Sequence, residues 1–210
     1  MTDQDNSKLS SAYSLNGPED TRRLYAEWAE TYDADFVQGQ GYLMPSHVAD
    51  AFLAAGGAGP VLDVGAGTGV MGEGLGAAGI APIDALDLSP EMLAVAGRKG
   101  IYRHLIEADV TQPIVLPEGP YAGVVSSGTF TLGHVGPEAF DPLLAAAAPG
   151  AIFSLGMNAK HYVAAGFEAK IEALADQITG FSLSTVPLYR EGATGPHAKD
   201  NGYVVVFSKR

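Results

Sequence analysis

An α/β domain built on a mostly parallel, seven-stranded sheet is what the 210-residue sequence predicts, and three observations predict it. From residue 60 onward, short apolar strand-like runs alternate with helix-like stretches, which implies right-handed crossovers and parallel pairing. A glycine-rich turn follows the first of those runs. The last two runs, 181–189 and 203–208, have no helix between them, so they pair as a hairpin and set the final strand antiparallel. The expectation is one domain at 19–210, divided into an N-terminal helical cap at 19–57 and a core at 58–210.

Residues 1–18 are polar and broken by Gly17-Pro18, which predicts a mobile tail. Between Asp20 and Phe36, the residues Tyr25, Trp28, Tyr32 and Phe36 recur along one face of an amphipathic helix. After the loop Gly39-Gln40-Gly41-Tyr42, Ser46 is placed to cap a second helix that Gly56-Gly57 stops. Residues 60–64 read as a buried strand, 65–69 as its turn, and the stretch to residue 78 as a helix. The second strand is 83–88. Ser89-Pro90-Glu91-Met92 then starts a helix, with Ser as N-cap and Pro in the first turn, and Gly100 ends it. Strands follow at 104–110 and 121–126. Asp141-Pro142 opens a helix over 142–148, and Pro149-Gly150 ends it before a fifth strand at 151–155. Residues 160–178 read as mainly helical, weakened at Gly166.

Charge narrows the partners. The 24 acidic residues against 12 basic ones leave a net charge of −12, a field that repels nucleic acid, and the few cationic clusters form no stripe. The absence of cysteine excludes disulfides, zinc thiolates, iron–sulfur clusters and a cysteine nucleophile. Five scattered histidines lack metal-ligand spacing, so no metal is expected. The longest apolar stretch, 143–157, is interrupted by Pro149-Gly150 and falls short of the ~20 residues a membrane span needs. The polar start carries no signal core. A soluble cytoplasmic protein without nucleic-acid or membrane partners is the expectation.

The segment richest in chemistry is Val61-Leu62-Asp63-Val64-Gly65-Ala66-Gly67-Thr68-Gly69. Its glycines allow a tight turn and let a ligand lie on the backbone, while the helix behind offers free N–H groups. Gly67 to Gly72 also satisfies the pattern G-x-G-x-x-G. At the end of the second strand, the Asp87 carboxylate can accept both hydroxyls of an adenosine ribose. Asp109, at the end of the third, can accept an adenine amine, with Val110 beside the ring. Both stand where open, Rossmann-like sheets bind ligands, although strand-end acids also serve as ordinary turn residues. A nicotinamide-dependent oxidoreductase is one reading of this pattern. Against it, Asp63 stands two residues before the first glycine, the carboxy-terminal half lacks a second mononucleotide unit, and no Tyr-x-x-x-Lys pair is present.

These segments resemble the class I S-adenosylmethionine-dependent methyltransferases, and the resemblance spans most of the chain. Residues 63–69 are similar to the family's first motif, Asp87-Leu88-Ser89 with Met92 to its second, and Ala108-Asp109-Val110 to its third. Residues 25–33 resemble the N-terminal helix of small-molecule members, the methyltransferase-like subgroup among them. The resemblance implies S-adenosyl-L-methionine as cofactor, cradled by Gly65, Ala66 and Gly67, with Asp63 on its methionine ammonium. It also implies cofactor contacts from Asp87, Leu88, Met92, Asp109, Val110 and Ser126, and from Tyr32 on a lid helix. A non-catalytic S-adenosylmethionine-binding protein is the other alternative.

Methyl transfer is a displacement, so the protein chiefly aligns the acceptor and excludes water. The acceptor is expected beside the loop 126–135. Ser126-Ser127-Gly128-Thr129 stands there in place of the Asn/Asp-Pro-Pro-aromatic signature of enzymes acting on nucleic-acid amines. The missing cysteines remove arsenic-type and cysteine-based cytosine methylation. A small organic molecule, methylated on O, N or S, is the expected acceptor. His134 is the candidate catalytic base, because an imidazole suits proton removal near neutral pH. Tyr42, Thr129, His161 and Tyr189 are the candidate substrate contacts.

Overall fold

The computed structural model describes residues 18–33, 39, 41–132, 134–193 and 198–210. Two helices come first, α1 (Pro18–Trp28) and α2 (Met44–Ala54). Strand and helix then alternate through β1 (Val61–Val64), α3 (Val70–Ala77), β2 (Ile83–Asp87), α4 (Pro90–Arg98), β3 (Leu105–Glu107) and β4 (Tyr121–Phe130). A 3₁₀ turn (Pro137–Ala139) leads into α5 (Phe140–Ala146) and β5 (Ala147–Asn158). The short helices α6 (Ala159–Ala164) and α7 (Phe167–Ala173) precede the hairpin of β6 (Ile178–Pro187) and β7 (Asn201–Lys209).

The strands lie in the order β3-β2-β1-β4-β5-β7-β6. The first five run parallel, and β7 is antiparallel to both β5 and β6. This is the sheet the sequence predicts, with its antiparallel C-terminal strand. Strand order reverses at β1, whose neighbours are β2 on one side and β4 on the other. Connections diverge there, so the crevice beyond the carboxyl ends of β1, β2 and β4 is where such a sheet takes a ligand.

Both faces of the sheet are covered, which is why β1 is buried at every position. On one face Phe130, Phe140, Phe153, Phe167 and Phe207 form a continuous aromatic core. On the other, Trp28 of α1 and Met44, Val48 and Phe52 of α2 pack with Val61 and Leu75. Met44 reaches the sheet because Gly156 and Gly202 lack side chains: a Cβ at either would stand 2.5 Å and 2.3 Å from the methionine.

Several element ends differ from expectation, for physical reasons. Helix α1 stops at Trp28, and Phe36 lies outside the described residues. Ser46 does not cap α2: the cap residue is Leu43, Pro45 sits in the first turn, and the Ser46 hydroxyl donates back to the Leu43 carbonyl. Strand β3 is only three residues long, so Asp109 sits in the turn beyond it. Strand β4 runs on to Phe130 because, after an irregularity, it pairs again with β5 at Met157. The helix expected over 142–148 gives way at Ala147, which already pairs with Tyr121. Gly166, at φ 78°, separates α6 from α7. Where a cap is intrinsic to the sequence it holds: the Ser89 side chain accepts the Met92 N–H at the start of α4.

Candidate functional site

The turn after β1 places Gly65, Gly67 and Gly69 at φ 62°, 54° and 90°, a region that strains residues bearing a Cβ. At Gly65 a Cβ would also fall 1.8 Å from the Thr129 Oγ1. At Gly67 it would meet nothing within 4 Å, so the backbone there faces open space. The Ala66 N–H donates to the Leu86 carbonyl at 3.0 Å, which pins the turn to β2. Asp87 completes the tie, because its two oxygens accept the Gly67 N–H at 2.8 Å and the Ser89 N–H at 2.9 Å. Burial pushes the Asp87 carboxyl above its ordinary value, although the N–H groups of Ser89, Gly67 and Leu88 pull the other way.

A cavity of about 150 Å³ opens above this turn. Gly65, Gly67, Asp87, Leu88, Met92, Asp109, Val110, Tyr32, Thr129 and His134 line it. The carboxylates of Asp87 and Asp109 beside the apolar side chains of Leu88, Met92 and Val110 suit a nucleoside: apolar walls for the base, acceptors for sugar hydroxyls and a base amine. The open side of Gly67 gives that ligand room against the backbone. The donor set therefore fits the adenosine end of the expected cofactor. Asp109 is partly occupied, since its Oδ1 accepts the Thr111 N–H at 2.9 Å and hydroxyl at 2.7 Å.

A second, smaller cavity of about 50 Å³ adjoins the first. Tyr25, Tyr32, Gly128 and His134 line both. Tyr42 lines the second, where its hydroxyl donates to the Ser127 carbonyl at 2.7 Å. The state of His134 follows from its partners. Its Nδ1 lies 3.0 Å from the Leu132 carbonyl, which can only accept, so Nδ1 carries the proton. Nε2 therefore presents its lone pair to the Tyr25 hydroxyl, 3.0 Å away. Burial lowers the His134 pKa, opposed by the bond to Leu132 and assisted by His161, which keeps the ring neutral around pH 7.

Some expected contacts lie elsewhere. Ser126 lines neither cavity: its buried hydroxyl donates to the Val64 carbonyl at 2.8 Å and lies 3.0 Å from the Thr129 hydroxyl. Ala66 is turned inward against Ala85 and Leu93. Asp63 is buried under the turn, where its Oδ2 accepts the Tyr102 hydroxyl at 2.6 Å. Burial pushes the Asp63 carboxyl up to about 7, against the pull of Tyr102 and with the help of Asp87. His161 donates from Nε2 to the Val135 carbonyl at 2.8 Å and packs edge-on against Phe167, behind the loop rather than in a cavity. Tyr189 backs the Tyr42 ring, with centroids 5.8 Å apart, and lines neither cavity. Tyr25 and Asn158 are lining residues that sequence reasoning did not single out. The first shares a helical face with Trp28 and Tyr32; the second carried no signal beyond a helix cap.

Helix α1 is held over the crevice by polar contacts to the far side. Arg22 donates to the Leu88 carbonyl at 3.3 Å and pairs with Glu107 at 3.0 Å. Arg98 pairs with Glu30 at 2.8 Å, and Asp33 receives both Lys99, at 2.8 Å, and the Thr68 hydroxyl. The Arg22 and Arg98 pairs are exposed and each is worth about 0–1 kcal/mol. The packing of buried Trp28 into the cluster with Met44, Val48 and Phe52 therefore supplies the firmer anchor.

Residues 61–149, from β1 to the start of β5, match the family model described as a methyltransferase domain. The human Methyltransferase-like protein 27 is 33% identical over 137 residues, which cover 63% of this chain and 55% of that protein's length. Among solved structures, the DhpI–SAH complex is similar with a TM-score of 0.62 at 24% identity, covering 90% of this chain and 95% of that one. Magnesium protoporphyrin IX methyltransferase (ChlM) from Synechocystis PCC 6803, with bound SAM, has a TM-score of 0.61 at 21% identity, covering 92% and 97%. N-methyltransferase NodS from Bradyrhizobium japonicum WM9, in complex with S-adenosyl-l-homocysteine, has a TM-score of 0.58 at 17% identity, covering 79% and 85%. These structures share the fold. Residues 61–149 thus match a methyltransferase domain, and the chain shares the fold of these methyltransferase structures.

Proposed function

We propose that this protein binds S-adenosyl-L-methionine in the larger cavity and transfers its methyl group to a small organic molecule held in the smaller one. The observation that carries this reading is the shared wall: Tyr25, Tyr32, Gly128 and His134 line both cavities, so two ligands would meet there. The cofactor's contribution is an electrophilic methyl group. The protein's contribution is alignment and dryness, for which the tyrosines of α1 serve as a lid. In this reading residues 19–57 form the cap and 58–210 the catalytic core.

Where the acceptor atom carries a proton, that proton has a route. It passes to the Tyr25 hydroxyl as the hydroxyl's own proton moves to the Nε2 lone pair of His134, 3.0 Å away. The net charge of −12 speaks against a nucleic-acid acceptor, and the lack of cysteine is in keeping with a cytoplasmic setting. No helix among the described residues is long and apolar enough to cross a membrane.

Isothermal calorimetry tests the cofactor. S-adenosylhomocysteine is expected to bind in the micromolar range or tighter, and NADH not at all. Tight NADH binding with no response to S-adenosylhomocysteine would overturn the reading.

A further inference from the structure

The end of β5 carries a feature that cofactor binding leaves unused. Asn158, 4% exposed, caps α6: its Oδ1 accepts the N–H groups of Lys160 and His161 at 3.0 Å and 3.2 Å. Two donors on one atom settle which end of the amide is oxygen. The other end, Nδ2, is buried and has no hydrogen-bond partner. Of the buried polar atoms lacking a bond among the described residues, it is the one on a residue that lines either cavity. Such a donor is destabilising while unmet, and a ligand acceptor would relieve it.

The rest of that smaller cavity is uncharged, with Ser127, Thr131 and His134 as polar neighbours among apolar and aromatic side chains. Tyr32, Tyr42, Met44, Phe130, Met157 and Leu188 form its walls, and no Lys, Arg, Asp or Glu is among the described lining residues. A carboxylate or phosphate there would be buried without a counter-charge, which is strongly unfavourable. A cation would lie beside the cofactor's own positive charge and find no acid in the wall. An uncharged ring avoids both costs and stacks on the tyrosine faces.

We propose, resting on the methyl-transfer reading, that Asn158 is a substrate-binding residue and that the acceptor is an uncharged aromatic molecule bearing a hydrogen-bond acceptor, such as a carbonyl oxygen. The carbonyl oxygen accepts a hydrogen bond from Nδ2, while the ring lies between Tyr32, Phe130 and Met157. The group to be methylated then projects toward the shared wall of Tyr25 and His134.

Four probes of one size test this with protein saturated in S-adenosylhomocysteine, read by ligand-observed NMR. They are acetophenone, its acceptor-free isostere α-methylstyrene, benzoate and benzylamine. Acetophenone is expected to bind roughly threefold to tenfold tighter than α-methylstyrene, the worth of one neutral hydrogen bond. Benzoate and benzylamine are expected to be weaker still. Asn158→Asp keeps the acceptor that caps α6 and removes the donor, so it should erase the preference for acetophenone while leaving S-adenosylhomocysteine affinity unchanged. Asn158→Ser, another capping residue, should do the same and serves if the aspartate variant does not fold. Equal binding of acetophenone and α-methylstyrene to the natural protein, or a preference for either ion, would overturn the inference alone. Failure to bind S-adenosylhomocysteine would overturn the methyl-transfer reading instead.

Discussion

Replacing Asp87 by Asn is the most direct perturbation of the larger cavity. Each carboxylate oxygen already accepts one backbone N–H, from Gly67 at 2.8 Å and from Ser89 at 2.9 Å. Each also has a second lone-pair site, and together these can take both ribose hydroxyls. Asparagine keeps one oxygen and turns the other into a donor. One backbone N–H then faces an N–H, and one hydroxyl loses its acceptor. A hydrogen bond to a charged group is worth about 1.5–3 kcal/mol, so S-adenosylhomocysteine affinity should fall roughly tenfold to a hundredfold. Asp87→Ala removes both acceptors and should cost at least as much. Calorimetry gives the affinities, and thermal unfolding of the same samples shows whether the turn survives. The affinity of the natural protein should also fall with acid, since a protonated Asp87 loses an acceptor. Burial raises this carboxyl, so the fall should begin above the usual carboxylate range. Unchanged affinity in a folded Asn variant would refute the assignment and leave Asp87 as only a tie between two loops.

Gly65→Ala combines a positive φ with a Cβ set 1.8 Å from Thr129 Oγ1, and should lower unfolding free energy in urea by about 2–4 kcal/mol. A loss under ~1 kcal/mol would mean the turn relaxes freely. Asp63, with its folded pKa raised to about 7, binds a proton more tightly folded than unfolded, so its stabilisation is full below pH 4 and is lost as pH rises through 7. Asp63→Asn should remove that slope and gain roughly 2–4 kcal/mol on the natural protein between pH 4 and 8; parallel slopes in urea titrations would exclude it. Tyr25→Phe deletes the donor on the His134 lone pair, so the imidazole midpoint followed by NMR should rise from its lowered value, and a fixed midpoint would break the proposed proton route. Asp84 is fully buried, and bonds from Arg103 and Tyr121 outweigh burial to hold its carboxyl low; Asp84→Asn should lower the thermal midpoint by several degrees, and an unchanged midpoint would refute the pair's role.

What the sequence made legible is what local chemistry decides. The glycine turn, the Ser89 cap and the order of strands and helices depend on neighbours in the chain, and they stand where expected. Element ends that depend on distant partners do not. Nothing near Phe130 says that the strand resumes there, because the reason is Met157 on β5. The same division runs through the site. Gly65, Gly67, Asp87, Met92 and Val110 follow strand ends on one edge of the sheet, so naming the strands names them as lining. Ser126 also ends a strand stretch but faces the β1 backbone, because strand parity and not position sends its hydroxyl to Val64. Asp63 is spent in the same way on Tyr102.

The smaller cavity takes its walls from α1 and the turn after it, the residues at 42–44, the far ends of β4 and β5, and Leu188. Tyr25 and His134 are 109 residues apart and meet only because α1 folds back over the crevice. Asn158 carried no reading in the sequence; it caps α6 and also lines this cavity. The larger cavity thus takes most of its lining from the ends of neighbouring strands. The smaller cavity rests on the packing of five separate segments, each free to change without disturbing the glycine turn. Substrate choice should accordingly move with substitutions at Asn158, Tyr42 and Met157 that leave S-adenosylhomocysteine binding untouched.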